Sequence, residues 1–283
     1  MQYFAPRSRD EALQILASER VRIVAGGTDV YPALRDRPAT DSYLDISRVP
    51  EFRGISTTAD GWHFGAATTW TDVASANLPA CFHGLQAAAR EVGSVQIQNT
   101  GTIAGNICNA SPAADGIPPL LSLEADVEVC SLDGTRTVPL NAFVTGVRRV
   151  ELRPGEMVTA IRIRKQAGRS AFLKLGARRY LVISIAMVAV IVEADADGRV
   201  VRARIAVGAC SPVACRLPEL EAALIGLPAL PEVLASAMSG RHLAPLSPID
   251  DVRADAAYRI DAAGELIRRA LCAATAETRE IAA

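Results

Sequence analysis

The chain has 283 residues, of which 50% are hydrophobic and 22% are charged, and its formal net charge is −1. This length predicts a sizeable core and two domains, and the near-balance of charge argues against a nucleic-acid partner. The longest apolar stretch, Leu181 to Val192, is too short to span a bilayer, and the N-terminus lacks a signal-peptide pattern. We therefore expect a soluble, cytoplasmic protein without a membrane span.

The first fifty residues predict a small α/β unit. Residues Ser8 to Glu11 have the sequence of a capping box, and apolar residues at helical spacing follow, so a helix is expected to run to about Ser18. A short apolar strand over 21–25 comes next and ends in Gly26-Gly27. A further strand is expected from Tyr43 to Ile46.

From Ile55 onward, the predicted helices and strands interleave without a regular βαβ rhythm, which favours an α+β fold. The predicted elements are hairpin turns at Asp60-Gly61 and Asp133-Gly134, strands at 126–131 and 157–163, and short helices capped by Thr71-Asp72, covering 85–92 and opened by Pro118-Pro119. In the last third they are strands at 183–193 and 200–207 joined by the turn 195–198, and helices at 217–225 and 254–273. A sheet followed by helices predicts a separate C-terminal domain.

The six cysteines and three histidines form no recognisable metal-binding or catalytic pattern. No two cysteines have CxxC spacing, and only Cys210 and Cys215 are close along the chain. Zinc and iron–sulfur sites need three or four ligands at short spacing. We therefore expect no metal site and interpret the cysteines as buried free thiols, which suit a reducing compartment.

The first segment that suggests chemistry is Val24-Ala25-Gly26-Gly27-Thr28-Asp29-Val30, at the end of a predicted strand. Paired glycines permit positive φ angles and allow backbone N–H groups to converge, which makes a good pyrophosphate cradle. The alternative is a tight turn stabilised by the Thr28 and Asp29 side chains. From these residues alone, both interpretations stay open.

The second such segment, residues 99–115, combines two glycines with threonine, asparagine, serine and aspartate side chains. A surface loop can have this composition, but loops of this length without secondary structure are uncommon unless they are functional. Small residues with hydroxyl and amide groups suit the close approach of the backbone to a polar ligand. Neither segment fits GxGxxG or GxxxxGK followed by Ser or Thr, which disfavours a Rossmann or P-loop site.

Ala25-Gly26-Gly27-Thr28-Asp29 and the run from Thr102 to Asp115 together resemble the FAD-binding subunits of molybdenum hydroxylases. Phe172 to Arg179 resembles the same family, and Pro248 to Arg259 is similar to its C-terminal flavoprotein domain. The resemblance covers nearly the whole chain, with four motifs in order. The family includes xanthine dehydrogenase, aldehyde oxidase, carbon monoxide dehydrogenase and nicotine dehydrogenase.

This resemblance implies an α+β fold with two domains. A vanillyl-alcohol-oxidase/PCMH-type FAD-binding domain would cover 1–166, with subdomains at about 1–54 and 55–166. A smaller CO dehydrogenase flavoprotein-like domain, built from an antiparallel sheet plus helices, would cover 167–283.

The resemblance also implies a set of FAD-binding residues: Val24, Ala25, Gly26, Gly27, Thr28, Asp29, Val30, Thr102, Gly105, Asn106, Asn109, Ser111, Asp115, Ile161 and Lys174. The glycine segment would wrap the pyrophosphate, and Asp115 would bond ribose or ribityl hydroxyls. Ile161 would pack near the adenine or flavin, and Lys174 would reach a polar edge of the cofactor. The plain alternative for Lys174 is a solvated strand residue.

The chain departs from the family pattern at two positions. Ala104 stands where the family often has a glycine, and its added methyl leaves less room where the chain nears FAD. Ser184 stands where many members have an aspartate, so the flavin contact there stays open. The cysteine-bearing segment of benzoyl-CoA-type reductases is missing, which disfavours that branch.

The function that the resemblance implies is that of an oxidoreductase subunit active only in a complex. Electrons would pass from the [2Fe–2S] clusters of a small subunit through FAD to NAD or another acceptor, while a molybdopterin-binding large subunit hydroxylates the substrate. This role needs no catalytic acid or base in the chain itself. The alternatives are a stand-alone flavin oxidase of related fold and a flavin-free assembly module.

Overall fold

A computed structural model describes residues 1–35, 38 and 40–276 of the chain. Its strands are β1 (Tyr3–Phe4), β2 (Val21–Val24), β3 (Ser42–Asp45), β4 (Ile55–Thr57), β5 (Gly61–Gly65), β6 (Asp126–Ser131), β7 (Gly134–Pro139), β8 (Val144–Gly146), β9 (Arg149–Val150), β10 (Met157–Arg164), β11 (Arg169–Leu175), β12 (Ala186–Ala194), β13 (Val200–Gly208) and β14 (Cys215–Arg216). Its helices are α1 (Arg9–Ser18), α2 (Trp70–Ser75), α3 (His83–Glu91), α4 (Val95–Thr100), α5 (Ile103–Asn109), α6 (Ile117–Ser122), α7 (Leu140–Phe143), α8 (Pro218–Leu224), α9 (Pro231–Ala237) and α10 (Ala256–Thr275). In these described ranges, no helix combines the length and apolar character needed to cross a bilayer.

The predicted domain ranges 1–166 and 167–283 include residues 36, 37, 39 and 277–283, which lie outside the described residues.

The first sheet is parallel and three-stranded, in the order β1-β3-β2. Helix α1 begins after Ser8, whose Oγ accepts a hydrogen bond from the Glu11 N–H at 3.2 Å, as the capping sequence predicts. The buried residues of this helix, Ala12 and Leu13, pack into the core. Because β2 and β3 run parallel, the glycine segment leaves the sheet at the carboxyl ends of its strands.

The second sheet is antiparallel and five-stranded, in the order β4-β5-β10-β6-β7. The two predicted hairpin turns join β4 to β5 and β6 to β7. At the centre, Ile161 of β10 pairs with Phe64 of β5 and Val127 of β6, and all three side chains are fully buried. Burying a side chain of this size stabilises the fold by about 1.5–3 kcal/mol. This sheet therefore carries the core of the first domain.

The C-terminal sheet is antiparallel, in the order β11-β12-β13-β14, and its strand β12 is buried on both faces. Val188 and Val190 pack into the core beneath α10, whereas Met187 and Ala189 pack against the first domain. Successive residues of a strand point to opposite faces, so double burial requires the continuous apolar run seen in the sequence. One face of this sheet is thus covered by its own helices and the other by the first domain.

Two sequence predictions are wrong in detail, and one helix was not predicted. Helix α2 is capped by Thr69 rather than Thr71-Asp72: the Thr69 Oγ1 accepts from the Asp72 N–H at 3.2 Å, and the Asp72 carboxylate accepts from the Thr69 N–H at 2.9 Å. The segment 99–115 is not one irregular loop, because it contains the end of α4 and the whole of α5. Strand β12 begins at Ala186, three residues later than predicted.

Candidate cofactor-binding site

The glycine turn, residues 25–30, follows β2 directly. Gly27 has a φ of +68°, a left-handed conformation that glycine adopts without strain. At Gly26, an added Cβ would lie 1.8 Å from the carbonyl oxygen of Thr100, so only glycine lets the turn contact the end of α4. Among the other predicted residues here, Val24 is buried, Ala25, Thr28 and Val30 are half-buried, and Asp29 is exposed. The turn presents bare backbone beside the second polar segment, which is the arrangement that a pyrophosphate cradle requires.

The second polar segment, residues 99–115, is organised by α5. Thr102 caps this helix, since its Oγ1 accepts a hydrogen bond from the Gly105 N–H at 3.1 Å. Ile103 and Ile107 bury the inner side of the helix, whereas Gly105 is exposed. The helix was not predicted from the sequence, because only these two isoleucines show helical spacing and the residues around them are small or polar.

Trp70 packs against two glycines of the site, Gly101 and Gly116. Its Cη2 lies 2.4 Å from the position of an added Cβ on Gly116, and its Cδ1 lies 3.5 Å from the corresponding position on Gly101. The Trp70 side chain is 1% exposed, and its backbone N–H donates to the Gly101 carbonyl at 3.1 Å. A side chain at Gly116 would overlap the indole, so Trp70 fixes the path of the chain beyond α5. In the sequence, the only signal near this tryptophan is the capping box of Thr69 and Asp72.

Asn106 carries a buried polar atom that is left unpaired. Its Oδ1 has no hydrogen-bond partner among the described residues, and it lies 2.9 Å from the position of an added Cβ on Gly116. An unpaired buried acceptor costs about 1–3 kcal/mol, which a bound donor would recover. FAD carries hydroxyl and amino donors of the kind that this carbonyl lacks, and the exposed Gly105 lies next to Asn106 in the chain.

The carboxylate of Asp115 lies in a buried network that joins the two domains. Its Oδ2 accepts from the Lys174 Nζ at 2.9 Å, and its Oδ1 accepts from the Ser184 Oγ at 2.9 Å. The side chains of Lys174 and Asp115 are 7% and 11% exposed. Burial raises the pKa of Asp115, and the Lys174 ammonium opposes that rise. Since Lys174 is buried and paired, the alternative of a solvated strand residue is wrong.

Three predicted residues make other contacts. The Ile161 side chain is fully enclosed in the core because β10 is the central strand of its sheet, so it has no surface to offer a cofactor. Arg148 donates to both the carbonyl and the side-chain oxygen of Asn109. The Ser111 Oγ accepts from the Ala113 N–H at 3.3 Å. Asn109 and Ser111 therefore shape the turn that follows α5.

An opening of about 360 Å³ adjoins the buried network, because Lys174 forms part of its wall. Its charged lining consists of Lys174, Arg178, Arg179 and Glu91, so cations outnumber the carboxylate. The other lining residues are Ala87, Phe172, Leu173, Leu175, Gly176 and Val182. Such a mixed lining with excess positive charge suits an anionic ligand that also has an apolar part.

The cysteines are all free. Cys81, Cys130 and Cys210 are buried and the other three are half-buried. Within the described part of the chain, no group of three His, Cys, Asp or Glu side chains is placed to hold a metal ion.

Two family models cover almost the whole chain. Residues 1–165 match the FAD binding domain in molybdopterin dehydrogenase, and residues 171–274 match the CO dehydrogenase flavoprotein C-terminal domain. The fold and the site thus define a two-domain α+β flavoprotein whose cofactor is FAD. The predicted fold class and the predicted cofactor are confirmed.

Individual relatives agree with this class. The chain is 31% identical over 251 residues to the nicotinate dehydrogenase FAD-subunit of Eubacterium barkeri, covering 85% of each chain. It is 31% identical over 281 residues to the nicotine 6-hydroxylase medium subunit of Paenarthrobacter nicotinovorans, covering 98% of each. A solved structure of Hydrogenophaga pseudoflava carbon monoxide dehydrogenase, lacking the Mo-pyranopterin moiety, shares 31% identity and a TM-score of 0.86 over 97% of this chain and 96% of that one. The chain belongs to the family of FAD-binding subunits of molybdenum hydroxylases, and it is an oxidoreductase subunit.

Proposed function

We propose that the chain binds FAD non-covalently between the glycine turn and the second polar segment, and transfers electrons within a molybdenum hydroxylase complex. The observation that carries this proposal is the contact of Gly26 with the carbonyl oxygen of Thr100, which only glycine permits. It sets the glycine turn directly against the segment that leads into α5. A pyrophosphate with attached sugar hydroxyls fits such a surface.

Each part of the site has a separate task in this proposal. The backbone N–H groups of residues 26–29 hold the pyrophosphate. Thr102, Gly105 and Asn106 line the opposite side. The ion pair of Asp115 with Lys174 holds the second polar segment against the C-terminal domain and offers polar atoms to the ribose or ribityl hydroxyls.

The electron donor is proposed to be another chain. The relatives from E. barkeri and P. nicotinovorans are described as an FAD-subunit and a medium subunit, which supports a place in a larger assembly. We propose a small subunit with [2Fe–2S] clusters as the donor, and a molybdopterin-binding large subunit as the place of substrate oxidation. A bound FAD would supply a centre able to exchange both single electrons and electron pairs, and the residues of the glycine turn and the second polar segment would hold it. The task of this chain is to orient the cofactor and set the charge around it.

We propose NAD, or another acceptor with negative charge, as the final oxidant. The opening beside Lys174 supports this choice, because Arg178 and Arg179 line it and guanidinium groups bind phosphate well. An uncharged acceptor such as a quinone would gain nothing from these cations.

Two other functions are compatible with the fold. A flavin-free assembly module would have no use for an unpaired buried oxygen at Asn106 beside bare backbone. A stand-alone flavin oxidase would need an acid or base for its own substrate. The buried titratable side chains at this site, Asp115 and Lys174, instead form an ion pair with each other. Both observations favour the electron-transfer subunit.

We also propose a cytoplasmic location, because free cysteines such as these persist in a reducing compartment.

The purified full chain is expected to bind FAD and to absorb at about 450 nm. It should hydroxylate purines, aldehydes or N-heterocycles only after the iron–sulfur and molybdopterin subunits are added, through an interface of roughly 1,600 Å² or more. Mass spectrometry checks that the single chain is free of partners. Turnover at ordinary enzymatic rates by the partner-free chain would overturn the electron-transfer role, and a chain that binds no FAD would overturn the whole proposal.

Replacing Asn106 with alanine should weaken FAD binding about ten- to a hundred-fold, because the cofactor loses a buried partner worth roughly 1–3 kcal/mol. The flavin-free variant should unfold at nearly the wild-type free energy, since the Oδ1 has no described partner to lose. FAD titration and urea unfolding measure the two effects. Asn141→Ala, at an exposed asparagine of α7, is the control and should change neither. Destabilisation of the flavin-free protein without a loss of affinity would make Asn106 purely structural.

A further inference from the structure

The ring of Tyr31 covers one side of the glycine turn. Its Cε2 and Cδ2 lie 2.4 and 2.8 Å from the position that an added Cβ would take on Gly27, so the ring contacts the Gly27 backbone. The Tyr31 N–H donates to the Gly27 carbonyl at 3.2 Å. The ring and the main-chain N–H of Tyr31 therefore both contact Gly27, the glycine with the positive φ.

The Tyr31 ring is itself packed against the first sheet. Its centroid lies 6.3 Å from that of Tyr43 on β3, in a tilted arrangement, and Tyr43 is 2% exposed. On the neighbouring strand β1, the hydroxyl of Tyr3 donates to the Asp45 Oδ2 at 2.5 Å, which fixes this part of the sheet. Tyr31 therefore links the glycine turn to the first sheet by packing against both.

Core burial alone does not explain Tyr31, since its side chain remains 49% exposed. Glycine turns are flexible, because glycine has more backbone conformations to lose than any other residue. A ligand binds only the fraction of molecules in which the turn already has the right conformation. A ring held against Gly27 raises that fraction.

We propose that Tyr31 is a positioning residue, whose ring holds the glycine turn in the conformation that binds the FAD pyrophosphate before the cofactor arrives. The inference rests on the proposed function of the turn and adds the physical reason for its affinity. It requires no contact between Tyr31 and FAD.

Tyr31→Ala should raise the dissociation constant for FAD about ten-fold, which corresponds to a fall of the binding-competent fraction to about a tenth. Tyr31→Phe keeps the ring and should bind FAD as tightly as the wild type. Titration of FAD fluorescence with the flavin-free full chain measures both constants. The melting temperature of the flavin-free chain should change little in either variant, which separates positioning from general stability.

Tyr258→Ala is the matched control, since Tyr258 is 51% exposed and lies on α10 of the other domain. It should keep wild-type affinity. If Tyr31→Ala does not fold, Tyr31→Leu takes its place with the same expected loss, because leucine keeps the apolar volume without the flat ring.

Wild-type affinity in the folded Tyr31→Ala variant, or in Tyr31→Leu where that replaces it, would overturn the inference. An equal loss in Tyr31→Phe would also overturn it, because the hydroxyl rather than the ring would then be responsible. A wild-type chain that binds no FAD would instead overturn the proposed function, so the two failures are distinguishable.

Discussion

Replacing Gly27 with valine is expected to abolish FAD binding while leaving the chain folded. Gly27 has a φ of +68°, which a β-branched residue adopts only at a cost of about 1–3 kcal/mol. An added Cβ would also lie 2.4 Å from the Cε2 of Tyr31, so the turn and the ring cannot both stay in place. The backbone N–H groups of the turn would then leave the positions in which they hold the pyrophosphate. We expect the FAD dissociation constant to rise by about a hundred-fold or more.

Gly198→Val is the matched control for this variant. Gly198 has a φ of +72° in the turn between β12 and β13, and an added Cβ there meets no described atom within 4 Å. Both variants carry the same backbone strain, and Gly27→Val should lose additional free energy of unfolding because it also overlaps the Tyr31 ring. Only Gly27→Val should lose FAD, as measured by flavin absorbance after gel filtration. Full retention of flavin by folded Gly27→Val would exclude the glycine turn as the pyrophosphate site.

Local signals in the sequence were sufficient for the elements that depend on local chemistry. The Ser8 side-chain cap predicted by the sequence begins α1, and the Asp-Gly pairs at 60–61 and 133–134 lie in the turns of two hairpins. A side-chain cap or a glycine in a tight turn acts within three or four residues, so tertiary packing does not override it. The double glycine after β2 was located for the same reason.

Contacts between distant residues could not be predicted in this way. Asp115 and Lys174 are 59 residues apart and lie in different domains, so no local pattern pairs them. Trp70 reaches the site only because α2 packs beside α4. Resemblance to a family supplied Ile161 as a candidate, but only packing reveals that a central strand encloses it. The sequence therefore identified the segments of the site, and the tertiary structure decides which of their side chains meet there.

Replacing Lys174 with methionine is expected to destabilise the chain by about 3–5 kcal/mol at neutral pH, because the Asp115 carboxylate stays buried without its cation. Burial already raises the pKa of Asp115, and Lys174 limits the rise, so the pKa should be higher still in the variant. A carboxyl whose pKa is higher in the folded than in the unfolded state binds more protons when folded. The loss should therefore be small below the unfolded pKa, grow as the pH rises towards the folded pKa, and be complete above it. Urea unfolding across this pH range measures it.

Lys165→Met makes the same chemical change at the only other lysine of the sequence, which is exposed, and should be nearly neutral. The double variant Lys174→Met/Asp115→Asn should recover part of the lost stability, because no buried charge remains and the amide can still bond Ser184. It should also retain more FAD than Lys174→Met alone, since the second polar segment stays fixed to the C-terminal domain. If Lys174→Met and Lys165→Met unfold at the same free energy at every pH, the ion pair contributes nothing, and the apolar packing of β12 would have to hold the two domains together.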